Sequence, residues 1–284
     1  MPEGDTIWRA ARALDLALAG QVVRGFRTTS PDISPAGERS IPGRTVGGVR
    51  AIGKHLLMTF SRDREDVVLH THMRMNGSWH LYRPGERWRR SPASARVVVE
   101  TDAYVAPCFD APVVELVRGA DLQRHAALRG LGPDAMTDIF DLDAALLRVR
   151  SQPDREIGVA LLDQRAVSGI GNVLKSETLF LAAVSPFAPV SRLDGAVLRT
   201  VLEQGHRLLV LNRTGPSRRT RFVLDPRQKL WVYGRRGEPC HVCGTPIGSA
   251  TQGEEARRTY WCPTCQAFEG TRDVGAGERA SRLV

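Results

Sequence analysis

The hydrophobic pattern of this sequence changes its period once, near Leu131-Gly132-Pro133-Asp134. Before that point, short runs rich in β-branched and aromatic residues recur between clusters of Gly, Pro and polar residues, which is typical of antiparallel strands. After it, apolar residues recur at helical spacing. The change predicts a multi-domain α+β protein in which an antiparallel β-sandwich precedes a helical domain. The predicted sandwich strands are Val22–Thr28, Arg44–Ala51, His55–Phe60, Val67–Thr71, Ser78–Tyr82, Arg96–Thr101 and Val113–Val117.

Helical spacing also opens the chain, where Ile7, Ala11, Leu14 and Leu18 share one face. Asp5 or Thr6 is the expected cap and Gly20 the expected stop. Residues 30–43 and 83–94 are rich in Pro, Gly and Arg and are expected to be loops. The later predicted helices are Ile139–Arg150, Asp154–Leu162, Asn172–Ala182 and Leu193–Asn212, followed by strands at Thr220–Leu224 and Lys229–Tyr233.

Four of the five cysteines form two C-x2-C pairs near the C-terminus. Cys240 and Cys243 are separated from Cys262 and Cys265 by residues 244–261, a spacing typical of a zinc finger or ribbon. Disulfides are the alternative, but paired C-x2-C motifs without a secretion signal favour zinc. We therefore predict one structural Zn2+ bound by these four thiolates, whereas Cys108 is expected to be a small core residue.

The chain is basic, with a formal charge of +9 and only three lysines among its 40 basic residues. Arginine suits phosphate because its planar fork donates two hydrogen bonds at once, so the charge suggests a nucleic-acid partner. A merely solvated basic surface explains the charge equally well. The sequence contains no run of about 18 apolar residues, so it predicts no membrane span. The N-terminus has no signal-peptide pattern, so we expect a cytoplasmic protein.

The first residues, Met1-Pro2-Glu3-Gly4, carry the first candidate chemistry. If Met1 is removed, Pro2 becomes a terminal secondary amine, and an α-amine with a pKa of about 8 is far more often neutral at pH 7 than a lysine. Such an amine can attack a carbon electrophile and form a cationic iminium, with Glu3 beside it as a general acid or base. Many proteins begin with Met-Pro, however, so Pro2 alone is weak evidence for catalysis.

Four other short motifs suggest contacts with DNA. Lys54 follows Gly53 at a turn into an apolar strand, and Met73-Arg74-Met75-Asn76-Gly77 offers apolar side chains that either enter a base stack or face the core. Gly169-Ile170-Gly171-Asn172 precedes a helix and either approaches an anion or makes an ordinary turn. Arg257-Arg258 lies in the hairpin between the cysteine pairs, where a rigid platform would hold arginines against phosphate.

Taken together, these motifs resemble the Fpg/Nei family of bifunctional DNA glycosylases, over nearly the whole chain to about Ala267. The resemblance implies an N-terminal catalytic sandwich, a helix–two-turn–helix domain and a C-terminal β-hairpin zinc finger, with DNA in the cleft between the halves. The markers, in the order of the family, are Pro2-Glu3-Gly4, Gly53-Lys54, the stretch His72–Gly77, Leu131-Gly132-Pro133-Asp134, Gly169-Ile170-Gly171-Asn172 and Tyr260-Trp261-Cys262-Pro263. The implied domains are 1–130, 131–236 and 237–270, with a flexible tail at 271–284.

The resemblance implies base-excision repair of damaged DNA by a monomer. Pro2 attacks C1′ of the damaged nucleotide, releases the base and forms a Schiff base, after which β- and δ-elimination leave a one-nucleotide gap. Glu3 assists opening and protonation of the sugar ring, and Lys54 contacts phosphate near the lesion and acts as a proton donor. Glu177 matches a family carboxylate near the active site.

The remaining implied residues bind DNA. Gly169, Gly171 and Asn172 grip the lesion phosphates together with Arg257, which also assists the second elimination. The neighbouring Arg258 belongs to the same platform. Three residues of the N-terminal domain complete the set: Arg74 and Met75, which match the segment that fills the void left by the flipped base, and Arg129, which lies near a family DNA contact.

Two departures from the family pattern matter, the first for catalytic help from the position of Thr6 and the second for the substrate. Thr6 stands where the family usually has a second carboxylate. The stretch Val105-Ala106-Pro107-Cys108-Phe109-Asp110 lacks the Arg-Phe pair that reads the opposite base in the formamidopyrimidine branch. We therefore expect the endonuclease VIII branch and oxidised pyrimidines. The alternatives are a formamidopyrimidine and 8-oxoguanine glycosylase, a non-catalytic binder of damaged DNA and a zinc-containing DNA-binding regulator.

Overall fold

The computed structural model describes residues 2–63, 65–215, 217–223 and 225–267. The chain forms two compact units, one ending at Gly130 and the other beginning at Leu131. Within the described ranges, no helix is long and apolar enough to cross a membrane. The predicted tail, 271–284, lies outside the described residues.

The first unit begins with helix α1, Gly4–Leu18. The carbonyl of Glu3 accepts the first two helical bonds, from the amides of Thr6 and Ile7 at 2.9 and 3.0 Å. Glu3 is therefore the N-cap, and the prediction of Asp5 or Thr6 was wrong because the helix starts before them. The apolar face predicted from the spacing is buried.

Two four-stranded antiparallel sheets follow, which confirms the predicted sandwich. One sheet has the order β2-β3-β4-β8 and the other the order β1-β6-β7-β5. Strand β7 was given no bounds from the sequence, although the stretch around Cys108 is strand-like, because its small residues and Pro107 weaken the β pattern. The strands are β1 Gly25–Thr28, β2 Thr45–Ile52, β3 His55–Arg62, β4 Glu65–His72, β5 Ser78–Trp79, β6 Ala95–Glu100, β7 Val105–Phe109 and β8 Val113–Arg118.

The core lies between the sheets and under α1. Phe26 of β1 meets Phe60 of β3 edge to face, with ring centroids 5.9 Å apart, so that one aromatic pair joins the two sheets. The Asp15 carboxylate of α1 accepts a hydrogen bond from the Val49 amide of β2 at 2.9 Å. A short helix, α2 at Pro35–Ser40, lies in the stretch predicted to be a loop.

The outer face of the β2-β3-β4-β8 sheet carries polar residues, since side chains alternate between the two faces of a strand. Cross-strand partners share a face, so Leu57, His70 and Glu115 lie side by side there, as do His55 and His72. A 3-10 turn at Gly119–Arg124 and helix α3, Ala126–Arg129, follow β8, and the turn packs over β4 and β8.

The second unit is helical, as the change of period predicts. Helix α6 is buried along its whole length and packs against α7, so it forms the centre of this unit. The predicted helix Asp154–Leu162 is only one turn long. The helices are α4 Leu142–Arg150, α5 Ile157–Ala160, α6 Asn172–Leu181 and α7 Gly195–Leu211.

A two-stranded hairpin, β9 at Gly248–Gln252 and β10 at Arg257–Trp261, lies among the cysteines. The strands predicted at Thr220–Leu224 and Lys229–Tyr233 were wrong for the residues that the structure describes. The amides of Thr220 and Arg221 share one acceptor, the Lys229 carbonyl, and a 3-10 turn, Pro226–Gln228, separates the two stretches. The Glu177 carboxylate accepts hydrogen bonds from the backbone amides of residues 231–233. These amides therefore cannot form the hydrogen bonds of a β-sheet.

Candidate functional site

Pro2 and Glu3 lie directly before the N-terminus of α1. Pro2 is half-buried, whereas Glu3 is fully buried. The positive end of the helix dipole lies next to both residues, which favours a neutral amine and a nearby anion. This end of α1 therefore has the residues that a terminal amine nucleophile needs.

The residues after Glu3 place a buried carboxylate next to Thr6. Asp5 is fully buried, and its carboxylate accepts hydrogen bonds from the Thr6 hydroxyl at 3.3 Å and from Arg9 at 3.4 Å. Arg9 also donates to the Thr6 hydroxyl at 3.5 Å. Asp5 therefore places a buried carboxylate one position before Thr6, and the sequence prediction did not include it among the candidate residues.

Lys54 occupies the two-residue turn that joins β2 to β3. The preceding Gly53 has φ +55°, a conformation that favours glycine, so this turn requires it. Lys54 is half-buried, and its charge lowers the pKa of both His55 and His72 in addition to the larger effect of burial. The turn thus holds one cation among imidazoles at the end of the sheet.

The two methionines of the turn after β4 have different surroundings. Met73 is a core residue, whereas Met75 is about half exposed and Arg74, with φ +43°, is exposed. A Cβ on Gly77 would come within 2.7 Å of the Met73 carbonyl, so this close turn requires glycine. Only Met75 of the pair can enter a base stack. Arg129, at the end of α3, is also exposed.

The glycine turn before α6 brings backbone amides to a helix N-terminus, as predicted. Gly169 has φ +100°, and Gly171 is the N-cap. The Asn172 amide group donates to the Arg258 carbonyl at 2.7 Å, while its buried Oδ1 has no hydrogen-bond partner among the described residues. Asn172 therefore ties α6 to β10 and keeps one acceptor available.

The hairpin is tied to α6 a second time, through a fully buried lysine. The Lys175 ammonium donates to the Thr259 hydroxyl at 2.6 Å. Arg257, at the start of β10, is half-exposed and pairs with Glu255 at 2.7 Å, and Arg258 is exposed. Two internal contacts thus hold the strand from which these arginines project.

Glu177 lies inside the second unit rather than on a surface. It is fully buried, and its carboxylate accepts hydrogen bonds from the Thr220 hydroxyl and from the amides of Trp231, Val232 and Tyr233. Burial raises the pKa of this carboxyl, and the four donors offset part of that effect. This geometry indicates support for residues 231–233 and does not fit the direct catalytic role that the sequence prediction gave it.

The four paired cysteines come together as free thiols that could hold one metal ion. The sulfurs of Cys240 and Cys265 are 4.0 Å apart, and those of Cys243 and Cys262 are 3.4 Å apart. In a tetrahedral site with metal–sulfur bonds of about 2.3 Å, sulfur atoms lie about 3.8 Å apart. The backbone amides of Val242 and Cys265 also donate to the sulfurs of Cys240 and Cys262, both at 3.4 Å. Cys108 is buried in the core of the other unit, as expected.

Two family models match the chain. The formamidopyrimidine-DNA glycosylase N-terminal domain matches residues 1–112, and the formamidopyrimidine-DNA glycosylase H2TH domain matches residues 131–212. The chain therefore belongs to the formamidopyrimidine-DNA glycosylase family, which confirms the resemblance carried by its motifs.

Similar proteins within this family carry endonuclease 8 names. The probable endonuclease 8 2 of Streptomyces coelicolor is 42% identical over 97% of each chain. The DNA-(apurinic or apyrimidinic site) lyase Nei2 of Mycolicibacterium smegmatis is 35% identical over 94% of this chain and 99% of its own. The fold matches a Lactococcus lactis formamidopyrimidine-DNA glycosylase, solved with DNA containing an AP site, with a TM-score of 0.80 at 22% identity over 93% and 99% of the two chains.

Proposed function

We propose that this protein is a DNA glycosylase with AP lyase activity that acts in base-excision repair of damaged DNA. The observation that carries the proposal is the half-buried Pro2 immediately before α1, flanked by the buried carboxyls of Glu3 and Asp5. The family relationship supports it, because the similar proteins are named endonuclease 8 and AP-site lyase. We propose that the protein acts in the bacterial cytosol and that its active form is a monomer.

The proposed reaction begins when the neutral Pro2 amine attacks C1′ of the damaged nucleotide. The bond from C1′ to the base breaks, and its electron pair and a proton leave with the base. Opening of the sugar ring needs a proton on the ring oxygen, which we assign to Glu3. The resulting iminium withdraws electrons, so loss of the C2′ proton expels the 3′ phosphate. A second elimination releases the 5′ phosphate, and water then frees Pro2.

The Schiff base gives the most direct test. Borohydride should reduce the iminium and link processed protein covalently to DNA containing an abasic site, with the added mass on Pro2. Mass analysis of the N-terminus comes first, because retained Met1 would block the amine. A Pro2→Gly variant is the matched control, because it keeps a terminal amine at the same position. The proposal fails if processed protein binds the DNA but no covalent species forms.

The proposed DNA contacts divide between the two units, each taken by itself. In the first, Lys54 binds phosphate near the lesion, Met75 fills the void left by the extruded base, and Arg74 and Arg129 bind nearby. In the second, the Gly169–Asn172 turn and the arginines of β10 bind lesion phosphates. Helix N-termini and arginines are common phosphate ligands, which supports both assignments.

We also propose oxidised pyrimidines as the substrates. Strands β7 and β8 are joined by only Asp110, Ala111 and Pro112, and residues 106–109 are buried. A loop that reads the opposite base therefore has no room in this connection. Side-by-side cleavage of duplexes that carry thymine glycol or 8-oxoguanine would test this, with faster cleavage of thymine glycol expected. Faster cleavage of 8-oxoguanine opposite cytosine would favour the formamidopyrimidine branch.

For the cysteine cluster we propose one structural Zn2+. The four-sulfur donor set and the spacing of the two pairs are those of closed structural zinc sites. The bound ion supplies cross-linking rather than reaction chemistry. Cys240, Cys243, Cys262 and Cys265 would fix both ends of the β9–β10 hairpin, and with it the position of Arg257.

A further inference from the structure

A second cluster of metal-binding residue types lies in the first unit, away from the cysteines. His70 of β4 and Glu115 of β8 are cross-strand partners on the outer face of the sheet, and His125 approaches them from the segment after the 3-10 turn. The Glu115 Oε1 atom is 2.7 Å from His70 Nδ1 and 3.1 Å from His125 Nε2. The three ligand atoms all lie within 4.8 Å of one another.

We propose that His70, Glu115 and His125 bind a divalent first-row transition metal, with Zn2+ as the best match. Two imidazoles and one carboxylate are a donor set that zinc uses in proteins, with bonds of about 2.0–2.2 Å. Donors bound tetrahedrally to one ion at that distance lie about 3.3–3.6 Å apart. The observed spacings of 2.7 and 3.1 Å to Glu115 would have to open by about 0.2–0.9 Å, which rotations of the side chains can supply, and the third pair of ligand atoms lies within 4.8 Å.

The surroundings of the cluster fit a metal ligand set. The Nε2 atom of His70 lies 2.8 Å from Nδ1 of His55, and when the proton is on this side, Nδ1 of His70 is available to the ion. Metal-bound histidines usually have such a partner on the second nitrogen, and it fixes the tautomer. The Glu115 and His125 side chains are 30% and 17% exposed, which gives an ion a path in and leaves room for water as a fourth ligand.

The bound ion would fasten residues 119–129 to the sheet. Without an ion, Glu115 would instead accept hydrogen bonds from both His70 Nδ1 and His125 Nε2, in a hydrogen-bonded chain that reaches His55. The two arrangements place the His70 proton on opposite nitrogens. They also differ in the number of ions that each chain binds.

Metal stoichiometry distinguishes them. Wild-type protein, first brought to one ion per chain by a mild chelator, should take up a second ion in equilibrium dialysis against Zn2+ or Co2+. The second cobalt ion should give a visible spectrum of nitrogen and oxygen ligands, without the intense sulfur charge-transfer band of the finger. If the wild-type protein still binds only one ion per chain, the proposal is overturned by that result alone.

Single substitutions locate the second ion. Glu115→Gln and His125→Gln should each hold one ion per chain. His55→Phe removes only the partner nitrogen of His70, so it should lower the affinity for the second ion by about 10- to 100-fold. His80→Gln is the matched control, since His80 bonds to Ser78 and Tyr82 outside the cluster, and it should keep both ions. Circular dichroism checks the folding of each variant. Retention of the second ion by folded Glu115→Gln and His125→Gln would refute this site, whatever the outcome for the glycosylase.

Discussion

At the scale of single residues, the proposed DNA contact Arg257 has a carboxylate partner in the free protein. Its guanidinium pairs with Glu255, whose side chain is 74% exposed. Exposed ion pairs contribute about 1 kcal/mol or less, so a phosphate can replace this partner at little cost. The pair with Glu255 therefore competes only weakly with a DNA phosphate for Arg257.

Arg257→Ala should weaken binding to all lesion duplexes alike and reduce the slope of log K against log salt by about one. Fluorescence anisotropy over a salt series measures both quantities. Arg199→Ala is a matched control, because Arg199 also pairs with an exposed carboxylate, Asp143, but is not among the proposed contacts. A loss confined to one lesion type would contradict the phosphate role.

At the scale of elements, the segment 229–233 shows why a β pattern is insufficient. Its apolar residues predict a strand, but the amides of Trp231, Val232 and Tyr233 bind the Glu177 carboxylate of α6. A buried carboxylate with four donors is costly to lose, because each donor left unpaired costs about 1–3 kcal/mol. Helix α6 therefore determines the path of this segment.

Glu177→Ala should lower the free energy of unfolding by more than about 3 kcal/mol, since it leaves all four donors without their acceptor. Urea unfolding measures the loss. Thr220→Val removes one donor and retains the other three, so it should cost only about 1 kcal/mol. If Glu177→Ala keeps its stability but loses borohydride trapping, a direct catalytic role would be correct.

At the scale of the whole molecule, the net charge of +9 gives an attraction to DNA that does not depend on sequence. The proposed phosphate contacts require the arginines of β10 to be held in place, and this strand ends at Trp261, immediately before Cys262. The Lys175 and Asn172 contacts hold β10 from one side. The proposed zinc site holds it from the other.

Removal of zinc with a strong chelator should abolish DNA binding while leaving most of the helix and sandwich structure, because neither sheet of the sandwich nor α6 contains a ligand cysteine. Anisotropy and circular dichroism follow the two properties, and added Zn2+ should restore binding. Unchanged affinity after verified loss of the metal would contradict the supporting role of the finger.

The sequence by itself determined the order of the structural regions, because period and turn composition are local properties. The strands of the sandwich, the buried face of α1 and the glycine turn before α6 follow from residues that are neighbours in the chain. The cysteine cluster could also be predicted from the sequence, because short loops fix the spacing of the two pairs around one hairpin. Motifs in the order of the family then identified the chemistry.

Only the tertiary structure decided which polar groups meet across the fold. Glu177 lies far in sequence from the amides that it binds, and Asp5 became significant only through its burial. His70, Glu115 and His125 come from separate segments, so no local pattern marks them as a cluster. Hydrophobic periodicity records which side of an element is buried, but it does not record the partner, because partners depend on register and packing between elements that are remote in sequence.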